Sequence, residues 1–219
     1  MALAEHVGVP TSYAAPTMRA VLLEIPGWLL EQRRVTGEDQ RDELWDGVLH
    51  MSPSPLTAHN ELLIELCLAL APSAKRRGLK LFGDNQSIFD PAGPGGPREP
   101  VTPEVKNWRI PDVTIVHPRH LSRRGTEGHA EIVIEVLSAH DEAREKFPYY
   151  AGVGCREVWL VTVERTIEVH ALQGGAYVRV TPTADGIVTA SALGLELQTV
   201  ATADGPRLRI TDGDVMTDV

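Results

Sequence analysis

The stretch Ala130-Glu131-Ile132-Val133-Ile134-Glu135-Val136-Leu137-Ser138 decides how this chain is read. As a strand it carries apolar side chains on both faces, which predicts a central position covered on both sides. Glu135 is then a carboxylate inside a buried strand. Burying that charge alone is costly, so it demands a cation, a hydrogen-bonding partner or a raised pKa.

The preceding strand signal is Arg109-Ile110-Pro111-Asp112-Val113-Thr114-Ile115-Val116, with Asp112 near its start. Glu135 lies near the end of its own strand. In an antiparallel pairing, start faces end. The midpoint of 112 and 135 falls between Arg123 and Arg124, inside the polar, glycine-punctuated segment 117–130. Asp112 and Glu135 are therefore expected side by side, an oxygen pair suited to a hard divalent ion. Lys146 follows 11 residues after Glu135, in DEAREKFPYYAGVG (141–154), which reads as a helix ending near Gly152. A helix returning onto the sheet would bring that ammonium toward the two acids. There it would orient or deprotonate a water, or stabilise charge on a phosphate. Two acids, a lysine and Mg²⁺ form a coherent set for phosphodiester hydrolysis. Plainer readings exist. Asp112 is also a natural turn residue after Pro111, and Lys146 could pair with Glu142 at i,i+4 for about 0.3 kcal/mol. Glu135 resists such a reading.

Working outward, Asp46-Gly47 between Leu44-Trp45 and Val48-Leu49 is a two-residue hairpin signal that pairs Glu43 with His50 and Leu44 with Leu49. A short helix is expected around Gly27 to Arg34. Thr57 to Leu70 reads as a second helix, capped by Thr57 and apolar around most of its circumference, hence deeply buried. It should end at Gly78, ahead of a strand into Phe82. Residues 91–103, rich in Pro and Gly, exclude regular structure. REVWLVTV (156–163), TIEVHAL (166–172) and AYVRVTPT (176–183) are three more strands, the last two joined through Gln173-Gly174-Gly175. From Ile187 onward the pattern is weak. The order predicts a mixed α/β (α+β) fold around one central sheet.

The chain has 219 residues, 42% hydrophobic and 23% charged, as expected of a soluble globular protein. Residues 1–20 read as a flexible tail and 21–219 as a single domain. No run approaches the roughly 20 apolar residues of a membrane helix, and the N-terminus has no secretory pattern. Cys67 and Cys155 form no metal-type pair, and Cys67 reads as core, which fits a reducing cytoplasm. The net charge of -9 argues against a protein that coats nucleic acid. It leaves room for a nuclease with a local basic patch. Two candidates are Lys75, Arg76, Arg77 with Lys80, and Arg119, His120, Arg123 with Arg124; each also reads as a solvated surface.

Pro111-Asp112, then Glu135-Val136-Leu137-Ser138, then Lys146 resembles the PD-(D/E)XK nuclease superfamily, and within it the Uma-type restriction endonuclease family. Supporting runs are Glu43-Leu44-Trp45-Asp46-Gly47-Val48-Leu49 with Met51-Ser52-Pro53, His59, and Tyr150-Ala151-Gly152-Val153 before Glu157-Val158-Trp159-Leu160-Val161. The resemblance covers about Glu24 to Thr199. It implies a restriction-endonuclease-like fold, a DNA substrate and Mg²⁺ dependence, with Mn²⁺ as a substitute. By position, Asp112 and Glu135 become the metal-binding acids, Lys146 the catalytic lysine and Glu43 a further catalytic acid, with His59 and Ser138 as accessories. In the superfamily's usual pattern the lysine stands two residues after the second acid. Here Leu137 occupies that place, so the lysine must come from position 146, and the link from Ser138 is short. His140 or Asp141 could enter the site instead. Three functions stay open: a metal-dependent endonuclease, an inactive nuclease-fold binding module, and a hydrolase of RNA or a nucleotide. Self-association as a homodimer would suit cleavage of two strands.

Overall fold

The computed structural model describes residues 25–52, 55–84, 86–91, 107–138 and 141–219. The expected N-terminal tail, most of the 91–103 segment and His140 lie outside these. Helix α1 (Gly27–Thr36) buries none of its residues and stops at Gly37, whose φ of 77° supplies the left-handed cap. The hairpin β1 (Glu43–Trp45) and β2 (Val48–His50) has the expected register, Glu43 opposite His50 and Leu44 opposite Leu49. Asp46 and Gly47 both take positive φ, as the tight turn between twisted strands requires.

Helix α2 (Thr57–Arg76) ends just before Gly78, as expected, and corrects two expectations, its cap and its burial. Leu56 is its N-cap, and the Thr57 side chain caps nothing. The helix runs six residues past Leu70, through Pro72, which sits on its exposed side. Only one face is buried, through Leu62, Leu66, Leu70, Ser73 and Ala74, whereas Ile64 and Leu68 are 56% and 71% exposed. The helix lies on one side of a sheet, and nothing among the described residues covers its outer face.

After α2 come β3 (Lys80–Gly83), β4 (Ile88–Phe89), β5 (Trp108–Arg109), β6 (Val113–Val116), β7 (Thr126–Glu127) and β8 (Ile132–Leu137). A 3₁₀ turn, Ala143–Lys146, leads into the short α3 (Phe147–Gly152), so the helix expected over 141–152 is split in two. Then follow β9 (Glu157–Thr162), β10 (Ile167–Gln173) and β11 (Ala176–Arg179). The weakly patterned C-terminal stretch is a four-stranded antiparallel meander: β12 (Val188–Ala190), β13 (Leu195–Thr202), β14 (Gly205–Asp212) and β15 (Val215–Asp218).

The strands make three sheets rather than one. The largest has the order β11-β10-β9-β8-β6-β3, and β8 with β9 is its parallel pair, joined across the 3₁₀ turn and α3. A second, β2-β1-β5-β4-β7, carries the hairpin. The meander is the third. The chain therefore leaves one sheet after β5 and enters another at β6, breaking RIPDVTIV at Ile110-Pro111-Asp112. Proline lacks the donor a continuous ladder would need there.

Strand β8 is central, as expected. Ile132, Ile134 and Val136 face Leu62, Leu66 and Leu70 of α2 together with Leu195 and Leu197 of the meander. Val133 faces the opposite side with Tyr150, Val158 and Leu160. Full burial of such side chains stabilises by about 1.5–3 kcal/mol each. No described helix is long and apolar enough to cross a membrane.

Candidate functional site

Strands β6 and β8 pair antiparallel with Val113 opposite Ile134 and Thr114 opposite Val133. Extending that register by one residue sets Asp112 against Glu135. The two are tied further by Val136, whose backbone N–H donates to Asp112 Oδ2 at 2.6 Å. Asp112 Oδ1 meets His59 Nε2 at 2.9 Å, from the first turn of α2. That bond raises the His59 imidazole above its ordinary range, against the opposing effect of burial.

Glu135 is 5% exposed. Lys146, at the end of the 3₁₀ turn, places its Nζ 3.1 Å from both Glu135 oxygens and 3.0 Å from Glu43 Oε1. The i,i+4 pairing of Lys146 with Glu142 is thus not what forms; Glu142 instead meets His50 Nδ1 at 3.2 Å. Tyr150, one turn beyond Lys146, donates its hydroxyl to Glu135 Oε1 at 2.6 Å. The Glu135 carboxyl is pushed up to about 8, chiefly by burial and also by Asp112 and Glu43, against the opposing pull of Lys146 and the Tyr150 hydroxyl. Burial disfavours the Lys146 ammonium, yet the flanking Glu135 and Glu43 hold it above the ordinary lysine range.

Glu43 enters from the second sheet. Its Oε1 accepts from Ile110 N at 2.7 Å and its Oε2 from Trp45 Nε1 at 2.6 Å. Four residues distant in sequence, Glu43, Asp112, Glu135 and Lys146, therefore converge, with His59 on Asp112. Ser138 does not join them. It is exposed, and it binds Asp141 Oδ2 through its backbone N–H at 3.1 Å. Asp141 also accepts from Ala143 N at 2.6 Å and closes the 3₁₀ turn. Tyr150 and Trp45 are site residues that sequence reasoning missed. The four-residue spacing of Tyr150 from Lys146 and the two-residue spacing of Trp45 from Glu43 were the available signals.

Neither basic cluster is an open patch throughout. Arg76 and Arg77 both bind Asp212, at 2.6 and 2.8 Å. Arg124 pairs with Glu127 at 2.7 Å and lies over the Phe89 ring.

Three carboxyl groups share one ammonium, which leaves the cluster short of positive charge, and the raised Glu135 carboxyl reflects both that shortage and its burial. Among the described residues, no three His, Cys, Asp or Glu side chains are disposed to enclose a metal. The donor chemistry nevertheless fits Mg²⁺, which is held by one or two carboxylates and keeps several waters. Asp112 and Glu135 are the pair that would hold it.

The mixed sheet thus sets two acids and a lysine side by side. The family model described as Uma2, putative restriction endonuclease, matches residues 29–203, and the chain belongs to that family. A crystal structure of a putative nuclease belonging to DUF820 from Anabaena variabilis shares the fold. The TM-score is 0.54 at 14% identity, over 70% of this chain and 83% of that one. No curated protein matches.

Proposed function

We propose that this chain is a divalent-metal-dependent endonuclease that hydrolyses phosphodiester bonds of DNA. The observation that carries the proposal is the placement of Lys146 Nζ between Glu135 and Glu43, beside an Asp112 in register with Glu135. Mg²⁺, or Mn²⁺ in its place, held by Asp112 and Glu135 would acidify a water and neutralise phosphate charge. The rest falls to the protein's own side chains. Tyr150 and the Val136 N–H fix the two acids, and His59 holds the other oxygen of Asp112. Lys146, flanked by two glutamates, stays protonated at neutral pH, so it stabilises charge developing on the phosphoryl oxygens rather than removing a proton from water.

The test is incubation of the purified chain with supercoiled plasmid and Mg²⁺ or Mn²⁺, beside single-stranded DNA and RNA. Ion-dependent cleavage that Asp112→Ala abolishes is the expected result. An inert wild type, or equal cleavage by Asp112→Ala, refutes the proposal. A second reading, an inactive nuclease-fold binding module, is favoured by one observation: both oxygens of Asp112 are already engaged. Calorimetric titration separates the two, because the inactive module would take up neither ion.

A further inference from the structure

The second sheet brings a polar and aromatic column against Glu43. Glu43 and Trp45 are two residues apart on β1 and share a face, and His50 stands opposite Glu43 on β2. The Trp45 indole donates Nε1–H to Glu43 Oε2 at 2.6 Å. Its ring is held on both faces. His50 stacks on it at 3.8 Å between centroids and 13° between planes. The Arg109 guanidinium lies over it at 4.4 Å and over the Tyr149 ring at 4.3 Å. Tyr149, Arg109, Trp45 and His50 thus form four tiers.

Each of the other three tiers is anchored. Tyr149 donates its hydroxyl to Ile88 O at 2.7 Å. Arg109 is 3% exposed and donates Nη1 to Leu44 O at 2.9 Å and to Asn107 Oδ1 at 2.7 Å. Its Nε finds no partner among the described residues, so the column holds a buried cation whose other support is the two ring faces. His50 is tied to Glu142, just before the turn that carries Lys146. The indole therefore has little freedom to leave Glu43.

We infer that Trp45 is a positioning residue. Through its Nε1–H it fixes the Glu43 carboxylate, and through Glu43 it fixes the Lys146 ammonium that the proposed reaction needs. This inference rests on the nuclease reading for its kinetic consequence but not for its geometry. Trp45 acts only through Glu43 and touches no reacting atom.

Two variants test it. Trp45→Phe keeps an aromatic ring between His50 and Arg109 and removes the N–H. Cleavage by this variant should show kcat reduced about tenfold at unchanged KM, with the melting temperature lowered by a few degrees, as the loss of one buried hydrogen bond to Glu43 requires. A kcat equal to wild type, or a loss carried by KM alone, overturns the inference. The second arm needs no activity. Nitrogen-15 spectra resolve the indole N–H signals, and Trp45 is assigned by the signal lost in Trp45→Phe. Glu43→Gln should move that signal upfield and speed its exchange with water; an unmoved signal overturns the contact. If the wild type cleaves nothing, the nuclease reading fails, and the indole signal alone decides whether Trp45 holds Glu43.

Discussion

Two buried strand glutamates permit a matched perturbation, because one isosteric change should separate a structural carboxylate from a reactive one. Glu157 on β9 is 1% exposed. Its Oε1 accepts from Ser191 Oγ and Ala192 N, both at 2.8 Å, and its Oε2 accepts from Trp159 Nε1 at 3.0 Å. No cationic side chain pairs with it among the described residues. In Glu157→Gln, the amide nitrogen must face either two donors or the Trp159 N–H. The second is the cheaper arrangement, yet Trp159 is 0% exposed and no water reaches its N–H. An unsatisfied buried donor costs about 1–3 kcal/mol, and weakening two charge-assisted bonds to neutral ones adds about 1 kcal/mol, for a loss of about 2–4 kcal/mol. Glu135→Gln should behave differently. Burial raises that carboxyl well above the ordinary glutamate range, so losing its charge costs less there than at Glu157. Its stability should fall by less than that of Glu157→Gln, because Lys146 keeps Glu43 as a counter-ion and the amide oxygen can still accept from Tyr150 and Lys146. Urea unfolding followed by tryptophan fluorescence measures both, with cleavage assayed on the same samples. Glu157→Gln should be the earlier of the two to unfold and cleave normally per folded molecule; Glu135→Gln should do the reverse. A Glu157→Gln loss under about 1 kcal/mol, less than one lost buried hydrogen bond, refutes the accounting. So does an equal loss at Glu135.

Four further outcomes follow from the packing and the ion pairs. Leu66→Ala, at a fully buried position, should cost about 2–5 kcal/mol in denaturant unfolding. Leu68→Ala, two residues along the same helix and 71% exposed, should change stability by no more than about 0.5 kcal/mol. Gly125→Ala should lower stability by at least about 2 kcal/mol in thermal melts, since Gly125 has a φ of 155° and a Cβ there would lie 2.5 Å from Ser87 O. Asp212, bound by Arg77, Ser73 and Arg76, has its carboxyl held well below the usual carboxylate range, chiefly by Arg77. A depressed folded-state value gives stability that is present above the unfolded value and lost as pH falls through the folded one. Urea midpoints measured from pH 6 down to pH 2 should therefore show wild type and Asp212→Asn converging toward the acid end; a gap that persists unchanged counts against this linkage.

The central strand and the two acids were legible because their signals are local. A run apolar on both faces declares a buried strand, and an antiparallel register is fixed by simple addition, which is why Asp112 falls opposite Glu135. The hairpin was legible for the same reason, since Asp46-Gly47 admits few other conformations. What could not be read depends on what lies across space. Whether Ile64 and Leu68 are covered is decided by how many sheets pack on α2, not by the helix itself. The meander after Ile187 was obscure because its apolar residues are spread thinly along largely polar strands and gather only when Leu195, Leu197, Leu208 and Ile210 meet the core of α2 and β8. Tyr150 and Trp45 were missed because aromatic residues near a core read first as packing, and their polar ends report nothing until an acceptor is placed.

Glu157 sharpens what a buried strand carboxylate implies. Burial alone selects both Glu135 and Glu157, so it cannot by itself mark a reactive group. The partners distinguish them. Glu157 is met by two N–H groups and one hydroxyl, which satisfy its oxygens and anchor the segment leading into β13. Glu135 receives one hydroxyl and shares one ammonium with a second carboxylate, with a third acid in register alongside. Donors that match the charge leave Glu157 nothing further to bind. Around Glu135 three carboxyl groups share one lysine, and burial together with the neighbouring acids raises its carboxyl to about 8; it is that shortage of positive charge, and not depth alone, that makes a cation the missing partner in the proposed reading.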